Sequence, residues 1–183
     1  MSIDEVDDSQ LISSYLAGDD DSFTVLYERY RKVLYSFYLK SLSGDRALAD
    51  DLFQQTWLKV IKSLPKYRHQ QTFLAWLMMV GRNTMLDHWR KIGRKKESEL
   101  DESYMGESKM EQANQALSRK ELEALVDKLV VSLPEEQREV FIMRQSDISF
   151  KEIAEIQGIS LNTALGRMHY AVSKLKKSLK DWI

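Results

Sequence analysis

From Phe23 onward the apolar residues Leu26, Tyr27, Tyr30, Val33, Leu34, Phe37 and Tyr38 recur at intervals of three and four. That spacing lines one face of a helix and leaves the opposite face to polar side chains. The helix is expected to stop near Gly44. A second begins at Asp45, a suitable N-cap, and runs through Leu48, Leu52, Phe53, Trp57, Val60 and Ile61 to Leu64, where Pro65 ends it. After a polar loop from Lys66 to Gln71, Thr72 opens a third helix carrying Phe73, Trp76, Leu77, Val80 and Leu86, which ends in a basic run at Lys96. Three such stripes are enough to close one small core.

Between about Glu97 and Ala113 the apolar periodicity disappears, and Glu, Asp, Ser, Met and Gly take over, the composition of a linker. A new helical pattern starts with Leu117, Leu122, Leu125, Val126, Leu129 and Val130, and ends before Leu133-Pro134. Val140, Phe141 and Met143 follow on another helix. With two prolines in the chain and little β-branched alternation, the fold class is all-α. The expected organisation is two small helical domains, 1–96 and 117–183, joined by a flexible acidic linker over 97–116.

The most informative segment lies near the C-terminus. Phe150 to Gln157 reads as a short helix with Ile153 and Ile156 inward and the small Ala154 at a crossing. Gly158 supplies a turn, and Ser160 caps a long final helix. The expected buried stripe of that helix is Leu161, Ala164, Leu165, Met168, Val172, Leu175 and Leu179. This is the spacing of a helix-turn-helix, whose second helix enters the DNA major groove by its N-terminal end. On the polar face Asn162 and Arg167 suit paired hydrogen bonds to base edges, and Ser160, Thr163 and Lys174 suit phosphates. Gly166 would let the backbone approach the groove. His169 is a further candidate, although a lone histidine is as often an ordinary surface residue.

The net charge of −1 argues against nucleic acid only until its distribution is considered. Asp4, Glu5, Asp7, Asp8, Asp19, Asp20 and Asp21 make the N-terminal part acidic, whereas Asp87 is the only acid from Lys66 to Lys96. Arg167 to Lys180 contains no acid at all. Two basic segments at separate places suit a protein that touches DNA twice, and charge alone equally suits two solvated helix faces. The absence of cysteine excludes disulfides and thiolate metal sites. No signal-peptide core or membrane-spanning stretch occurs, so a cytoplasmic location without membrane insertion is expected.

The segment Asp45-Arg-Ala-Leu-Ala-Asp-Asp-Leu-Phe-Gln-Gln-Thr-Trp-Leu-Lys-Val, followed by Thr72-Phe-Leu-Ala-Trp-Leu-Met-Met-Val-Gly-Arg-Asn-Thr-Met-Leu-Asp-His-Trp-Arg-Lys, resembles the core domain of extracytoplasmic-function sigma factors. Leu133-Pro-Glu-Glu-Gln-Arg-Glu-Val-Phe and the helix-turn-helix resemble that family's fourth region. The resemblance runs from about Phe23 to Leu179. It implies a transcription initiation factor whose partners are promoter DNA, RNA polymerase core through its β′ clamp helices and β flap, and in some members an anti-sigma factor.

By the same resemblance, Asp51, Gln54, Gln55 and Trp57 occupy the polymerase-binding surface, although core packing is the plainer role for Trp57. The minus-ten element would be met by Lys66, Tyr67, Arg68 and His69 of the loop, with Gln70 and Gln71, and by Arg82, Asn83, Asp87, His88 and Arg90 of the third helix. Basic groups beside aromatic and amide groups can hold an unstacked strand, and stacking contributes about 1–3 kcal/mol per base. Asp87 equally suits a structural pairing with a neighbouring arginine. The minus-35 element would fall to the helix-turn-helix. There Leu165 and Gly166 stand where the family commonly has lysine and serine, which implies an altered promoter preference.

Competing readings make different demands. An enzyme would need a phosphate loop, a nucleophile or metal-ligand spacing, and the three histidines stand far apart. No catalytic residue, metal or cofactor is therefore expected. A repressor or response-regulator output domain would bind duplex by itself and leave the first domain without a role. A helical adaptor with no DNA role would not need two basic segments.

Overall fold

The computed structural model describes residues 6–68, 70–96 and 119–180, with side chains left out at 94–96 and at 119 and 120. Eight α-helices occur among these residues, and no strand. The first, α1 (Asp8–Leu16), was not anticipated from the sequence: it is short, and only Leu11 and Ile12 are buried. Asp8 ties it to the next helix by accepting from Arg29 and from the Tyr30 hydroxyl.

α2 (Asp20–Ser41), α3 (Arg46–Ser63) and α4 (Phe73–Lys96) form the three-helix body that the apolar stripes predicted. Asp19 caps α2 by accepting from the Asp21 amide, and Asp45 caps α3 by accepting from the Leu48 amide. A single 3-10 turn, Leu64–Lys66, carries Pro65 between α3 and the polar loop. Leu26, Leu34, Phe37, Leu52, Val60, Leu77 and Met78 are fully buried at the centre. Tyr38 donates from its hydroxyl to the Gly81 carbonyl at 2.8 Å and lies 2.6 Å from the Thr56 hydroxyl, so one polar group stitches all three helices. Gly81 sits where α4 meets α2: a Cβ there would lie 3.0 Å from Leu34 Cδ1.

The second body comprises α5 (Arg119–Val131), α6 (Glu135–Gln145), α7 (Phe150–Gln157) and α8 (Leu161–Lys180). Leu129, Val130, Val140, Met143, Ile148, Ile153, Ala164 and Ala171 fill its interior. The two bodies are in contact, α6 packing on α2 and α7 on α4, and their buried residues form one continuous cluster. Arg138 crosses this seam from α6, donating to the Ser41 carbonyl at 3.1 Å and to the Val131 carbonyl at 2.6 Å. Lys40 pairs with Asp127 at 2.9 Å on its edge. The expected linker and Leu117 lie outside the described residues.

Candidate nucleic-acid interface

The helix-turn-helix is built from α7 and α8. A capping box fixes the start of α7: Ser149 accepts from the Glu152 amide, and the Glu152 carboxylate accepts from the Ser149 amide. Gly158 ends that helix in the left-handed region at φ 64°, which costs glycine nothing. Ser160 Oγ accepts from the Thr163 amide at 3.1 Å, capping α8, and lies 2.8 Å from Thr163 Oγ1.

Ala164, Ala171 and Leu175 form the buried line of α8, with Met168 and Val172 half-buried beside it. Leu161 and Leu165, expected in that stripe, are instead 48% and 43% exposed. The first turn of α8 projects beyond the crossing with α7, and only the alanine side of the helix meets its neighbour. Positions 162, 165, 166 and 169 share the outward face by helical spacing. Asn162, Leu165 and His169 are exposed there, and nothing lies within 4 Å of a Cβ built on Gly166.

Arg167 departs from that face. Its Nη1 donates to Gln157 Oε1 at 2.8 Å, and its Nη2 lies 2.8 Å from Glu136 Oε2. The pairing of Asn162 with Arg167 on one reading surface is therefore corrected, because five residues of helix turn the two side chains well apart. Lys174 reaches the Ser132 carbonyl at 3.3 Å. Tyr170, not singled out in the sequence, is the most exposed large apolar residue of α8.

The polar loop, α4 and Glu155 of α7 border a cleft of about 410 Å³ whose lining includes Lys66, Arg68, Gln70, Gln71, Trp76 and Met79. Trp76 and Met79 escaped the sequence reading, since both fall in an apolar stripe that also serves the core. Tyr67 is only 8% exposed, with its ring 4.8 Å from that of Trp76 and its hydroxyl donating to the Gln71 carbonyl. Burial, helped by the carboxylates of Asp8, Asp7 and Glu152, pushes its hydroxyl up to about 12. So placed, Tyr67 shapes the loop from within.

Lys66 and Arg68 are exposed, and Arg68 also donates to the Tyr67 carbonyl. His69 lies outside the described residues. Asn83 and Arg90 are exposed on α4, and His88 is half-buried with its ring 5.2 Å from that of Trp89. Asp87 accepts from Lys59 at 3.2 Å and from Arg90 at 3.0 Å; these cations hold its carboxyl below the usual value. The structural pairing foreseen for Asp87 is present. Arg82 is directed away from the loop, its Nε donating to Glu139 at 2.8 Å and its side chain only 16% exposed.

The polymerase-facing candidates lie on α3. Asp51 and Gln54 are exposed, and Gln55 donates to Asp51 at 2.8 Å. Trp57 is 5% exposed and packs with Phe23, Tyr27 and Phe53, in the core position that its sequence context gave as its plainer role. Exposed Leu58 supplies the apolar surface that Trp57 withholds.

Residues 26–95 match the family model for sigma-70 region 2, and residues 123–175 match that for sigma-70 region 4. The chain is 34% identical to the ECF RNA polymerase sigma factor EcfG of Rhodopseudomonas palustris, over 76% of this chain and 75% of that protein. The chain belongs to the sigma-70 family. Its relatives within that family include the RNA polymerase sigma factor CarQ of Myxococcus xanthus, 30% identical over 90% of this chain and 92% of that one. The fold also matches the solved sigma factor RpoE of Bartonella quintana, crystallised in complex with the anti-sigma factor NepR. That match has a TM-score of 0.66 and 25% identity, covering 85% of this chain and 96% of the other. As a sigma-70 family member of the extracytoplasmic-function type, the chain carries regions 2 and 4, the first including all but the last residue of α4 and the second most of α8. Among its described residues, no helix is long and apolar enough to cross a membrane.

Proposed function

We propose that this chain recruits RNA polymerase core to promoters with a fixed division of labour between its two helical domains, and that it performs no chemistry itself. Promoter-specific initiation with RNA polymerase is the function of the family. The division of labour rests on one observation above all, the presence in one chain of an exposed helix-turn-helix face on α8 and of a cleft lined mainly by basic and amide side chains of the loop before α4.

In this reading α8 meets the upstream duplex element. Asn162, Leu165 and His169 face the bases, the open backbone at Gly166 allows close approach, and Ser160, Thr163, Lys174 and Arg167 lie toward the phosphates. The loop and α4 meet the minus-ten element. Lys66 and Arg68 hold the strand, Gln70, Gln71 and Asn83 offer edge hydrogen bonds, and the cleft over Trp76 has room for an unstacked base. Asp51, Gln54, Gln55 and Leu58 present α3 to the β′ clamp helices, and the second domain meets the β flap. The domains divide as 1–96 and 117–183, with 97–116 between them. The cytoplasm, where polymerase works, is the proposed location. An anti-sigma partner is proposed on the likeness to the Bartonella factor, which is held by one.

Run-off transcription with purified core polymerase, with and without this chain, tests the reading. Initiation from defined promoters only when the chain is present is the expected result; an unchanged pattern of start sites overturns it.

A further inference from the structure

Helix α1 lies outside every surface assigned above, yet its first residue is fastened to α2 by both carboxylate oxygens. Asp8 Oδ1 accepts from Arg29 Nη1 and Asp8 Oδ2 from the Tyr30 hydroxyl, while Arg29 Nη2 donates to the Val6 carbonyl at 2.9 Å. The Asp8 side chain is only 19% exposed, so the pair is shielded from bulk water. Nine residues are too few to hold a helix by themselves, and α1 buries only Leu11 and Ile12. The helix therefore exists by docking, and Asp8 sets where its first turn comes to rest.

From Tyr30 a run of ring contacts leads to the cleft. The Tyr30 ring lies 5.4 Å from that of Phe73, the first residue of α4. Phe73 is 5.6 Å from Trp76 and 5.8 Å from Tyr67, and Tyr67 and Trp76 are 4.8 Å apart, so three rings close a triangle. Phe73 and Tyr67 are buried, whereas Trp76 is half-buried and lines the cleft. The Tyr67 hydroxyl donates at 2.9 Å to the carbonyl of Gln71, another residue of the cleft lining. Close-packed rings have no room to turn independently, so a shift of Tyr30 is passed on to Trp76. Beyond the larger effect of burial, the carboxylates of Asp8 and Asp7 push up the Tyr67 hydroxyl, which sets the start of α1 close to the loop.

We propose that Asp8 is a positioning residue for base capture: by anchoring Tyr30 it holds the Phe73, Tyr67 and Trp76 rings in the arrangement that shapes the cleft for an unstacked base. The proposal rests on the reading of the loop and α4 as the strand-capture surface. Its sign separates it from a plain charge effect. Removing an acid near the loop that carries Lys66 and Arg68 strengthens attraction for any nucleic-acid backbone. Removing an anchor weakens the hold on the base and leaves the backbone contacts intact.

Asp8→Ala deletes both acceptors, and Tyr30→Phe keeps the ring and every charge but cuts the link. Asp21→Asn, on the exposed first turn of α2, removes an acid without touching the anchor. In the full chain the indole N–H resonance of Trp76, assigned by its loss in Trp76→Phe, is expected to move in the first two variants and to stay in Asp21→Asn. With core polymerase present, fluorescent single strands built of one base throughout are compared with a strand of equal length that has no bases. The wild-type preference for its best base over the baseless strand should fall about fivefold or more in Asp8→Ala, with affinity for the baseless strand unchanged or raised. Combining Asp8→Ala with Tyr30→Phe should do no more than Asp8→Ala alone, because both cut one connection. Asp21→Asn should keep the wild-type preference.

A Trp76 resonance that stays in place in both variants overturns the proposal, as does a moved resonance with an unaltered base preference. So does a wild-type chain without a base preference, an equal fall in Asp21→Asn, or a loss shared by the baseless strand, which marks general loosening of the fold. The run-off assay keeps this result apart from the promoter reading. If the wild-type chain initiates and Asp8→Ala retains its base preference, the positioning role is wrong and the promoter reading stands. If the wild-type chain does not initiate, yet its base preference falls and the resonance moves in Asp8→Ala, the positioning role stands and the promoter reading is wrong.

Discussion

Thr72 and Glu152 are 80 residues apart in the chain, yet the Glu152 carboxylate receives both the backbone amide and the hydroxyl of Thr72. Thr72 in turn caps α4, accepting from the Ala75 amide at 3.2 Å. The glutamate completes the capping box of its own helix and so serves the starts of two helices, one in each domain.

Acid should loosen this contact. Burial pushes the Glu152 carboxyl up, and hydrogen bonds from Ser149 and Thr72 outweigh it, leaving the group below its ordinary value of 4.5. A depressed carboxylate contributes its stabilisation fully above the ordinary value and loses it as pH falls through the depressed one. Ser149 and Thr72 do not titrate, and the nearby Tyr67 hydroxyl stays neutral throughout this range. The distance between labels on the two domains should therefore lengthen as pH falls below 4.5, and Glu152→Gln should blunt the change. A distance that stays constant through that window contradicts this.

Tyr38→Phe removes the hydroxyl shared by Thr56 and the Gly81 carbonyl and should cost about 1 kcal/mol of stability. Gly81→Ala pushes a methyl to 3.0 Å from Leu34 Cδ1 and 3.3 Å from the Tyr38 hydroxyl, which is fixed by its own hydrogen bonds. An overpacked core typically costs about 1–3 kcal/mol. Denaturant titration of both variants measures these losses, and a Gly81→Ala chain as stable as wild type would show that α2 and α4 can separate freely.

Leu165 is expected to read a thymine methyl group. Exposed and apolar on the outward face of α8, it has no donor or acceptor with which to read any other base feature. Leu165→Ala should leave folding stability nearly unchanged. Its effect should appear as a narrowed affinity difference between promoter variants at one position, within the about 1–3 kcal/mol typical of a single base pair. Equal loss of affinity for every variant would mean that the residue only excludes water.

Asn83 separates strand capture from recruitment. It is exposed on α4 and distant in sequence from the α3 residues proposed to meet polymerase. Asn83→Ala should leave binding of core intact and reduce the reactivity of opened thymines to permanganate at the minus-ten element. Matching losses of core binding and strand opening would contradict the separation of roles.

Much of the molecule is legible before folding because each helix carries its own instructions. Asp45, Gly158 and Ser160 act within one turn of themselves, and the cap geometry at each agrees with what the residue type requires. Helix α1 was not legible, since nine residues with two buried positions give too little periodicity to stand above a polar loop. Leu161 and Leu165 misled for a related reason: periodicity identifies a stripe but does not say how far along the helix its neighbour extends.

The sequence by itself determined an all-helical chain, the position of its helix-turn-helix and the two basic segments, because caps, turns and apolar spacing are local properties of neighbouring residues. Only the tertiary structure decided which charged groups are spoken for. Arg82 and Arg167 look alike as free cations in the sequence, and both are held by glutamates of α6. Arg82 finds its partner 57 residues away, and no local pattern encodes a pairing that depends on how two separately formed helical bodies come to rest against each other.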